Sequence, residues 1–314
     1  MSTSEILVRR AVDDDVDAIV ALLRLGLGEG TLERSSEVWR WKHQANPFGA
    51  SPVLLAHDET GLIAVRAFLK WRLVDDDGSM SAVRAVDTVT HPERQGRGLF
   101  KRLTLQLCEE LADDGVDVVF NTPNDKSGPG YLKMGWRDLG KVSLWARPIG
   151  PALPHRRRQI ASASLLKTAE LPVAHAIARL HTPITRDVLA WRYADVPGLD
   201  YRVVVEPGVA VAIGRRRRRG GRMEAMVCEV LHRGDARGIA VAASCVRDLV
   251  RGLDADYAVA KANLRSRTAV VLAAAGFLFV PRFGPRFVVR PLRGSTRALE
   301  RRSWDLRLGD IELF

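Results

Sequence analysis

The sequence predicts a mixed α/β fold (α+β, mixed sheet) built twice along the chain. Two observations carry this. Segments of helical and strand period alternate from the N-terminus to about residue 147, and the second half repeats that plan in eroded form. The size agrees: 314 residues, 46% hydrophobic and 27% charged, are the balance of two globular domains of ordinary length.

The elements follow in order. Asp13 to Leu25 places Val16, Ile19, Val20 and Leu23 at helical spacing behind an acidic start. Ser35-Ser36 caps a second helix through Trp39 and Trp41, which ends before Asn46-Pro47. Val53–Ala56, Leu62–Val74 and Ala82–Thr90 read as consecutive strands, with turns at Glu59–Gly61 and Asp75–Ser79. Gly98 to Leu111 reads as a helix, Val116–Phe120 as a short buried strand, Ser127–Met134 as a helix stopped by Gly135, and Trp136–Trp145 as a returning strand. The order is α-α-β-β-β-α-β-α-β.

Pro148 to Arg158, rich in Pro and Arg, reads as a linker between units 1–150 and 151–314. Beyond it, Trp191-Arg192-Tyr193 echoes Trp39-Arg40-Trp41, and Pro197 echoes Pro47. Gly276-Phe277 echoes Gly135-Trp136, and Arg290-Pro291 echoes Arg147-Pro148. Four matches in one order indicate a tandem duplication.

Composition narrows the function classes. No apolar run reaches the roughly 18 residues of a membrane span, and Met1 to Arg10 lacks a signal-peptide core, so a cytoplasmic protein is expected. Cys108, Cys228 and Cys245 are widely spaced and form no CxxC pair, so neither a metal site nor a disulfide framework is expected. Residues 1–150 carry 19 Lys+Arg against 22 Asp+Glu, whereas the remainder carries 29 against 15. A basic half fits nucleic acid, a membrane surface or an anionic substrate. The plainer reading is favoured: Arg outnumbers Lys 40 to 8, as in GC-rich genes, and Arg215–Arg219 before Gly220-Gly221 looks like a solvated hairpin tip.

The strongest local signal is Thr88-Val89-Thr90-His91-Pro92-Glu93-Arg94-Gln95-Gly96-Arg97-Gly98-Leu99-Phe100, a strand running into a glycine loop that opens a helix. Glycines permit the tight turn and leave amides uncovered. The first amides of a helix lack internal partners and carry partial positive charge, which makes such a loop a site for pyrophosphate. The loop lacks the Gly-Lys-Ser/Thr of a Walker motif and is not a GxGxxG fingerprint.

Gln95-Gly96-Arg97-Gly98-Leu99-Phe100 resembles the Gln/Arg-x-x-Gly-x-Gly/Ala motif of the GNAT superfamily of N-acetyltransferases, with Phe100 in place of the usual small sixth residue. Asn124, then Tyr131-Leu132-Lys133-Met134-Gly135-Trp136, is similar to that family's Asn…Tyr-x-x-x-Gly-Phe signature, and the likeness extends over roughly residues 6–147. It implies two tandem GNAT-like domains. It also implies that acetyl-CoA or a longer acyl-CoA serves as cosubstrate, without a metal. The backbone of Thr88, Val89 and Thr90 would hold the pantetheine arm, and amides of Gln95, Gly96, Arg97, Gly98, Leu99 and Phe100 the pyrophosphate. Asn124 and Ser127 would touch the cofactor, and Tyr131 would protonate the leaving thiolate.

A phenol, with an ordinary pKa of about 10, suits that last task because it is protonated at neutral pH. An alkylamine acceptor must lose a proton before it attacks, and direct attack in a ternary complex then needs only orientation. Asp87, at the end of the central strand, is the first base candidate, with a turn-capping or arginine-pairing role equally open; His91 and a water chain are others. The apolar tail Trp304–Phe314 reads as docked. It resembles the mycobacterial enhanced-intracellular-survival acetyltransferases, where a C-terminal carboxylate reaches the active site, although this chain lacks their third domain.

The second unit has His232-Arg233-Gly234-Asp235-Ala236-Arg237-Gly238 where the pyrophosphate loop belongs, and Leu272 where Tyr131 stands. It reads as a degenerate partner that completes a sheet, walls an acceptor cleft or makes a homodimer. The resulting expectation is acyl transfer, of acetyl first, to a primary amine of a small molecule. The alternatives are a non-catalytic acyl-CoA sensor, a long-chain N-acyltransferase acting on an amino sugar or antibiotic, and a nucleic-acid modifier.

Overall fold

Two seven-stranded mixed sheets form the body of the protein, and each borrows one strand from the other half of the chain. The computed structural model describes residues 5–28, 32–150, 158–173, 177–294 and 296–311. The first half runs β1 (Leu7–Arg10), α1 (Val16–Leu27), α2 (Ser36–His43), β2 (Val53–Asp58), β3 (Gly61–Asp75), β4 (Gly78–Thr90), α3 (Leu99–Asp113), β5 (Val118–Asn121), α4 (Gly128–Lys133), β6 (Arg137–Lys141) and β7 (Leu144–Pro148). The second half runs β8 (Ala161–Ser162), α5 (Arg186–Leu189), β9 (Arg202–Glu206), β10 (Ala210–Arg219), β11 (Arg222–His232), α6 (Ala236–Gly252), β12 (Tyr257–Lys261), α7 (Arg267–Ala274), β13 (Leu278–Val280), β14 (Arg286–Pro291) and α8 (Leu308–Ile311).

Sequence order and sheet order part company at one place. The first sheet is β1-β2-β3-β4-β5-β14-β6, and the second is β13-β7-β12-β11-β10-β9-β8. The single strand expected over Trp136–Trp145 is therefore two strands in different sheets. Its break falls at Val142-Ser143, where the Val142 amide donates to the Pro285 carbonyl. Gly284 lies so near that a Cβ there would stand 2.0 Å from the Val142 carbonyl oxygen. The glycine that permits the crossing sits on the other chain segment, and the local signal in the sequence is Gly140, at φ +86° two residues before the break. The two exchanged strands are equivalent: Pro148 of β7 faces Tyr257 at the start of β12, and Pro291 of β14 faces Val118 at the start of β5. The Arg-Pro echo read in sequence thus marks the ends of the exchanged strands. The division at residue 150 follows the chain but not the sheets.

Four residues, Leu-Val-Arg-Arg, make β1, too few for an alternation to be legible. The tryptophan echo holds with a register of 150 residues, so that Trp41, not Trp39, corresponds to Trp191. Ser35 caps α2 and Thr185 caps α5, each accepting from the amide three residues on. The Trp41 indole donates to the Trp191 carbonyl at 2.8 Å, and the Trp191 indole donates back to the Trp41 carbonyl at 2.9 Å. Their rings stack at 5.3 Å. The pair satisfies two indole donors inside an apolar core common to both halves.

That core is completed by the tail. Trp304 is fully buried, 5.4 Å from Phe120 of β5 and 4.9 Å from Phe287 of β14. Residues 304–311 are all buried, so the docking read from Trp304 onward holds as far as Ile311, while Glu312, Leu313 and Phe314, with the C-terminal carboxylate, lie outside the described residues. Arg307 enters the gap between β11 and β12 and meets Glu229 at 3.0 Å and Asp310 at 3.5 Å. Three buried carboxyls, at Glu229, Asp305 and Asp310, crowd one guanidinium. Burial pushes Glu229 up to about 7 against the pull of Arg307.

The linker over Pro148 to Arg158 falls largely outside the described residues, at 151–157. The arginines 215–219 run out along a hairpin to its tip, as read in sequence, with Arg216, Arg218 and Arg219 exposed and Arg215 the exception. They lie in β10; Arg215 is buried over the Tyr201 ring, and Arg217 and Arg219 both pair with Glu224 across the hairpin. All three cysteines are free and buried. No described helix is long and apolar enough to cross a membrane.

Strand exchange predicts one cooperative unit. Removing β14 would strip a partner from both β5 and β6, so residues 1–150 expressed alone should not give a native fold by circular dichroism. The whole chain should melt in one transition, and Trp304→Ala should cost about 3–5 kcal/mol by denaturant titration. Glu229 adds a pH signature. An acid whose folded pKa is raised binds more protons in the native state between its ordinary value and about 7, so its contribution falls as pH rises through that window. Glu229→Gln should therefore gain in melting temperature relative to wild type from pH 5 to pH 7.5; a constant difference would show that Glu229 is ionised throughout.

Candidate active site

The first sheet opens where β4 and β5 separate. They pair in parallel only at Ala82↔Val118, Val83↔Val119 and Arg84↔Phe120. Beyond Arg84, the β5-facing edge of β4 has no strand partner among the described residues. The cause lies on the other edge, where Arg66 faces Thr88 but Ala67 faces Val86, leaving Asp87 as an extra residue. Asp87 has φ +37°, a conformation costly for a side-chain residue and characteristic of a bulge. The bulge bends β4 away and opens a cleft of about 720 Å3.

Thr88, Val89 and Thr90 pair with β3 on one side and line the cleft on the other. Gln95, Gly96, Arg97, Gly98, Leu99 and Phe100 form one wall, and Asn124, Ser127 and Tyr131 line the cleft as well. All the expected cofactor residues thus share one cavity with Asp87 and Tyr131. His91 is outside its lining; its Nδ1 accepts from the Glu93 amide and caps the turn Pro92–Arg94.

The helix entrance is bare. Gly98 is the N-cap of α3 at φ +73°, without a side-chain cap and without an acidic residue in the first turn. A Cβ at Gly96 or Gly98 would meet nothing within 4 Å, so both faces look into open space. Amides there can receive an anion. The corresponding entrance in the second half is closed. The Asp235 carboxylate accepts from the Gly238 amide at 2.6 Å and fills the position an anion would take at α6. The gap between β11 and β12 is filled as well, by Arg307 and Leu272 among others, and retains only about 10 Å3. Asparagine and serine persist at Asn263 and Ser266, matching Asn124 and Ser127, but the Asn263 side-chain amide donates to the Trp304 carbonyl.

Phe100 packs edge-on against Tyr131 at 5.5 Å, and a Cβ at Gly130 would stand 3.1 Å from its ring. The bulk that departs from the motif is thus accommodated by a glycine on α4. Tyr131 is nearly buried between Phe100 and Trp136, and its hydroxyl accepts from Arg66 at 3.0 Å. Arg66 is fully buried, also donates to Thr88 Oγ1, lies over the Phe68 ring at 4.2 Å, and has no carboxylate partner among the described residues. A cation so placed can support negative charge on the phenolic oxygen.

Asp87 meets Lys42 Nζ at 2.6 Å and His43 Nε2 at 2.9 Å, all three nearly buried. Burial pushes the carboxyl up, but the Lys42 charge and the His43 hydrogen bond outweigh it and hold it well below the usual carboxylate range. Burial lowers both Lys42 and His43. Arg84 crosses from β4 to the tail, donating to the carbonyls of Asp310 and of Ile311, the latter at 3.2 Å, so Ile311 joins the cleft wall. Burial pulls the Arg84 guanidinium down to about 9. Sequence reasoning missed Lys42, His43, Arg66 and Arg84, whose roles depend on bulge and tail geometry. The one available signal was Arg66 and Arg84 standing within otherwise apolar strand stretches.

Residues 7–138 match the family model of the acetyltransferase (GNAT) domain. No curated protein matched the sequence. Among solved structures, the chain superposes on a GCN5-related N-acetyltransferase from Anabaena variabilis (TM-score 0.62, 11% identity, 92% of this chain and 73% of that one). Eis1 from Mycobacterium abscessus gives TM-score 0.58 at 13% identity over 93% and 75%. A tandem GNAT protein from the clavulanic acid biosynthesis pathway gives 0.50 at 12% over 93% and 100%. At these identities the likeness is one of fold, and the fold is that of tandem GNAT proteins. The match over residues 7–138 supports acyl transfer in general.

Lining by glycine makes the helix entrance testable. Gly98→Asp would put a charged side chain where the bare amides face the cleft and repeat the closure seen at Asp235. The variant should remain folded and lose CoA binding by calorimetry, by at least tenfold; unchanged affinity would place any CoA site elsewhere.

Proposed function

We propose that this chain is an acyl-CoA-dependent N-acyltransferase that moves an acyl group, acetyl first, to a primary amine of a small molecule. The observation that carries the reading is the meeting, in one cleft, of an open β4 edge, an uncapped α3 entrance and the Tyr131 hydroxyl. An extended pantetheine arm would pair with the free edge at Thr88–Thr90 as an added strand does. Its pyrophosphate would rest on the amides from Gln95 to Phe100, flanked by Asn124 and Ser127. Nothing in this assignment calls on a metal.

In the reaction the neutral amine attacks the thioester carbonyl, forming the C–N bond. Collapse of the adduct breaks the C–S bond, and the thiolate takes the Tyr131 proton while Arg66 supports the oxygen left behind. The amine's own proton leaves to a base. Asp87 lines the cleft, but a carboxylate held so far below neutral pH by Lys42 and His43 is a weak base. We read it as the residue that balances the Lys42 charge and fixes the bulge, with water carrying the proton away.

The test is turnover. Acetyl-CoA with a panel of amines should give free thiol, and native mass spectrometry of the protein as purified would report the length of any retained acyl chain. Tyr131→Phe should lower kcat by about 10²-fold or more and leave CoA affinity nearly unchanged. An unchanged rate would make Tyr131 a packing residue. Tight CoA binding with no turnover on any amine would favour an acyl-CoA-binding sensor.

A further inference from the structure

A second large concavity lies away from the acyl-CoA cleft, at the junction of the two halves. It measures about 550 Å3 and is lined by Lys141, Arg179, Arg265, Arg301 and Arg302, together with Ser143, Asn263 and Leu264. Five of its eight lining residues are cations and none is acidic. It shares no lining residue with the first cleft.

Several arginines elsewhere in the structure are answered by carboxylates: Arg94 by Asp58, Arg217 by Glu224, Arg297 by Asp75. Around this cavity only one is, among the described residues. Arg302 pairs with Glu300, and Lys141 donates to the neutral Arg282 carbonyl. Arg179, Arg265 and Arg301 have no ion pair among the described residues, and Arg301 Nη1 is buried without a hydrogen-bond partner. Burial lowers the Arg301 pKa, with Asp305 as the nearest opposing charge. A cavity of this volume has a radius of roughly 5 Å, less than the screening length of about 8 Å at physiological salt. A ligand at its centre therefore feels Lys141, Arg179, Arg265 and Arg301 together, and these four cations repel one another until an anion enters.

We propose that this cavity binds a small phosphate-bearing molecule carrying two or more negative charges, of nucleoside-diphosphate or sugar-phosphate size. The volume lies within the range of small-ligand sites. Guanidinium forks match phosphate oxygens in pairs, the Ser143 hydroxyl and Asn263 add neutral donors, and Leu264 offers an apolar wall. A concave enclosure of this size fits a compact anion better than a duplex, which needs an extended basic track.

Inorganic pyrophosphate on the full-length protein is the direct probe. The Gly98→Asp variant is used as background, so that binding at the α3 entrance does not contribute. At 0.15 M ionic strength, pyrophosphate at tenfold its dissociation constant should raise the melting temperature by about 2–4 °C over chloride of equal ionic strength. Arg179→Gln combined with Arg265→Gln, both outside the acyl-CoA cleft, should abolish the shift, weaken pyrophosphate binding at least tenfold by calorimetry, and leave acetyl-CoA affinity in an otherwise wild-type chain unchanged. Arg301→Gln should do the same, and the double variant carries the test if loss of the half-buried Arg301 harms folding. No shift beyond chloride, or a shift that survives the double variant, would overturn the assignment. So would RNA binding that depends on the same arginines in the absence of any pyrophosphate effect.

Discussion

The extra residue in β4 is the constraint on which the site depends. A regular β4 would continue its parallel pairing with β5 past Arg84, and the sheet would close. Asp87 prevents this by occupying a backbone conformation that non-glycine residues seldom adopt. The strain is held by Lys42 and His43 on the last turn of α2, which engage the Asp87 carboxylate from the buried side. Removing one partner would leave uncompensated charge in the interior, the costly way to break a buried pair. Opening the strand edge, presenting Thr88–Thr90 and docking α2 are thus one arrangement.

From that opening the other parts of the cleft follow. Separation of β4 from β5 makes room for the bare start of α3 on one side and for Tyr131 on the other, and it exposes Arg84 to the tail. Ile311 of the tail joins the cleft wall, where Arg84 donates to the carbonyls of Asp310 and Ile311. In the second half a gap of the same origin is closed with the chain's own charges: Asp235 sits on α6, and Arg307 lies between β11 and β12. The two halves share a framework and differ in whether their cavity is occupied from within.

Much of this was legible in the sequence because it is written in local rules. Helical period, the Ser35 cap, the glycine loop before α3 and the Asn124…Tyr131 spacing each concern residues close along the chain. The duplication was legible from four echoes, although the tryptophan echo was aligned two residues away from the register that the indole hydrogen bonds define. What could not be read depends on contacts between distant segments. The crossing at Val142 relies on Gly284, and the Asp87 bulge relies on a ladder with β3. The hairpin tip at Arg215–Arg219 was legible, but not the burial of Arg215 nor the pairing of Arg217 and Arg219 with Glu224 across the strands. A strand of four residues such as β1 carries too little pattern to register at all.

Strand exchange also bears on how such a protein can change over generations. Each half donates a strand to the interior of the other's sheet, so neither can be shed even after its own binding chemistry has gone. With Asp235 and Leu272 where the first half has an open loop and a tyrosine, the second half still supplies β14, Trp191 and the tail. Substitutions on its remaining surface leave both sheets intact. That is the setting in which a duplicated domain is free to acquire a new ligand.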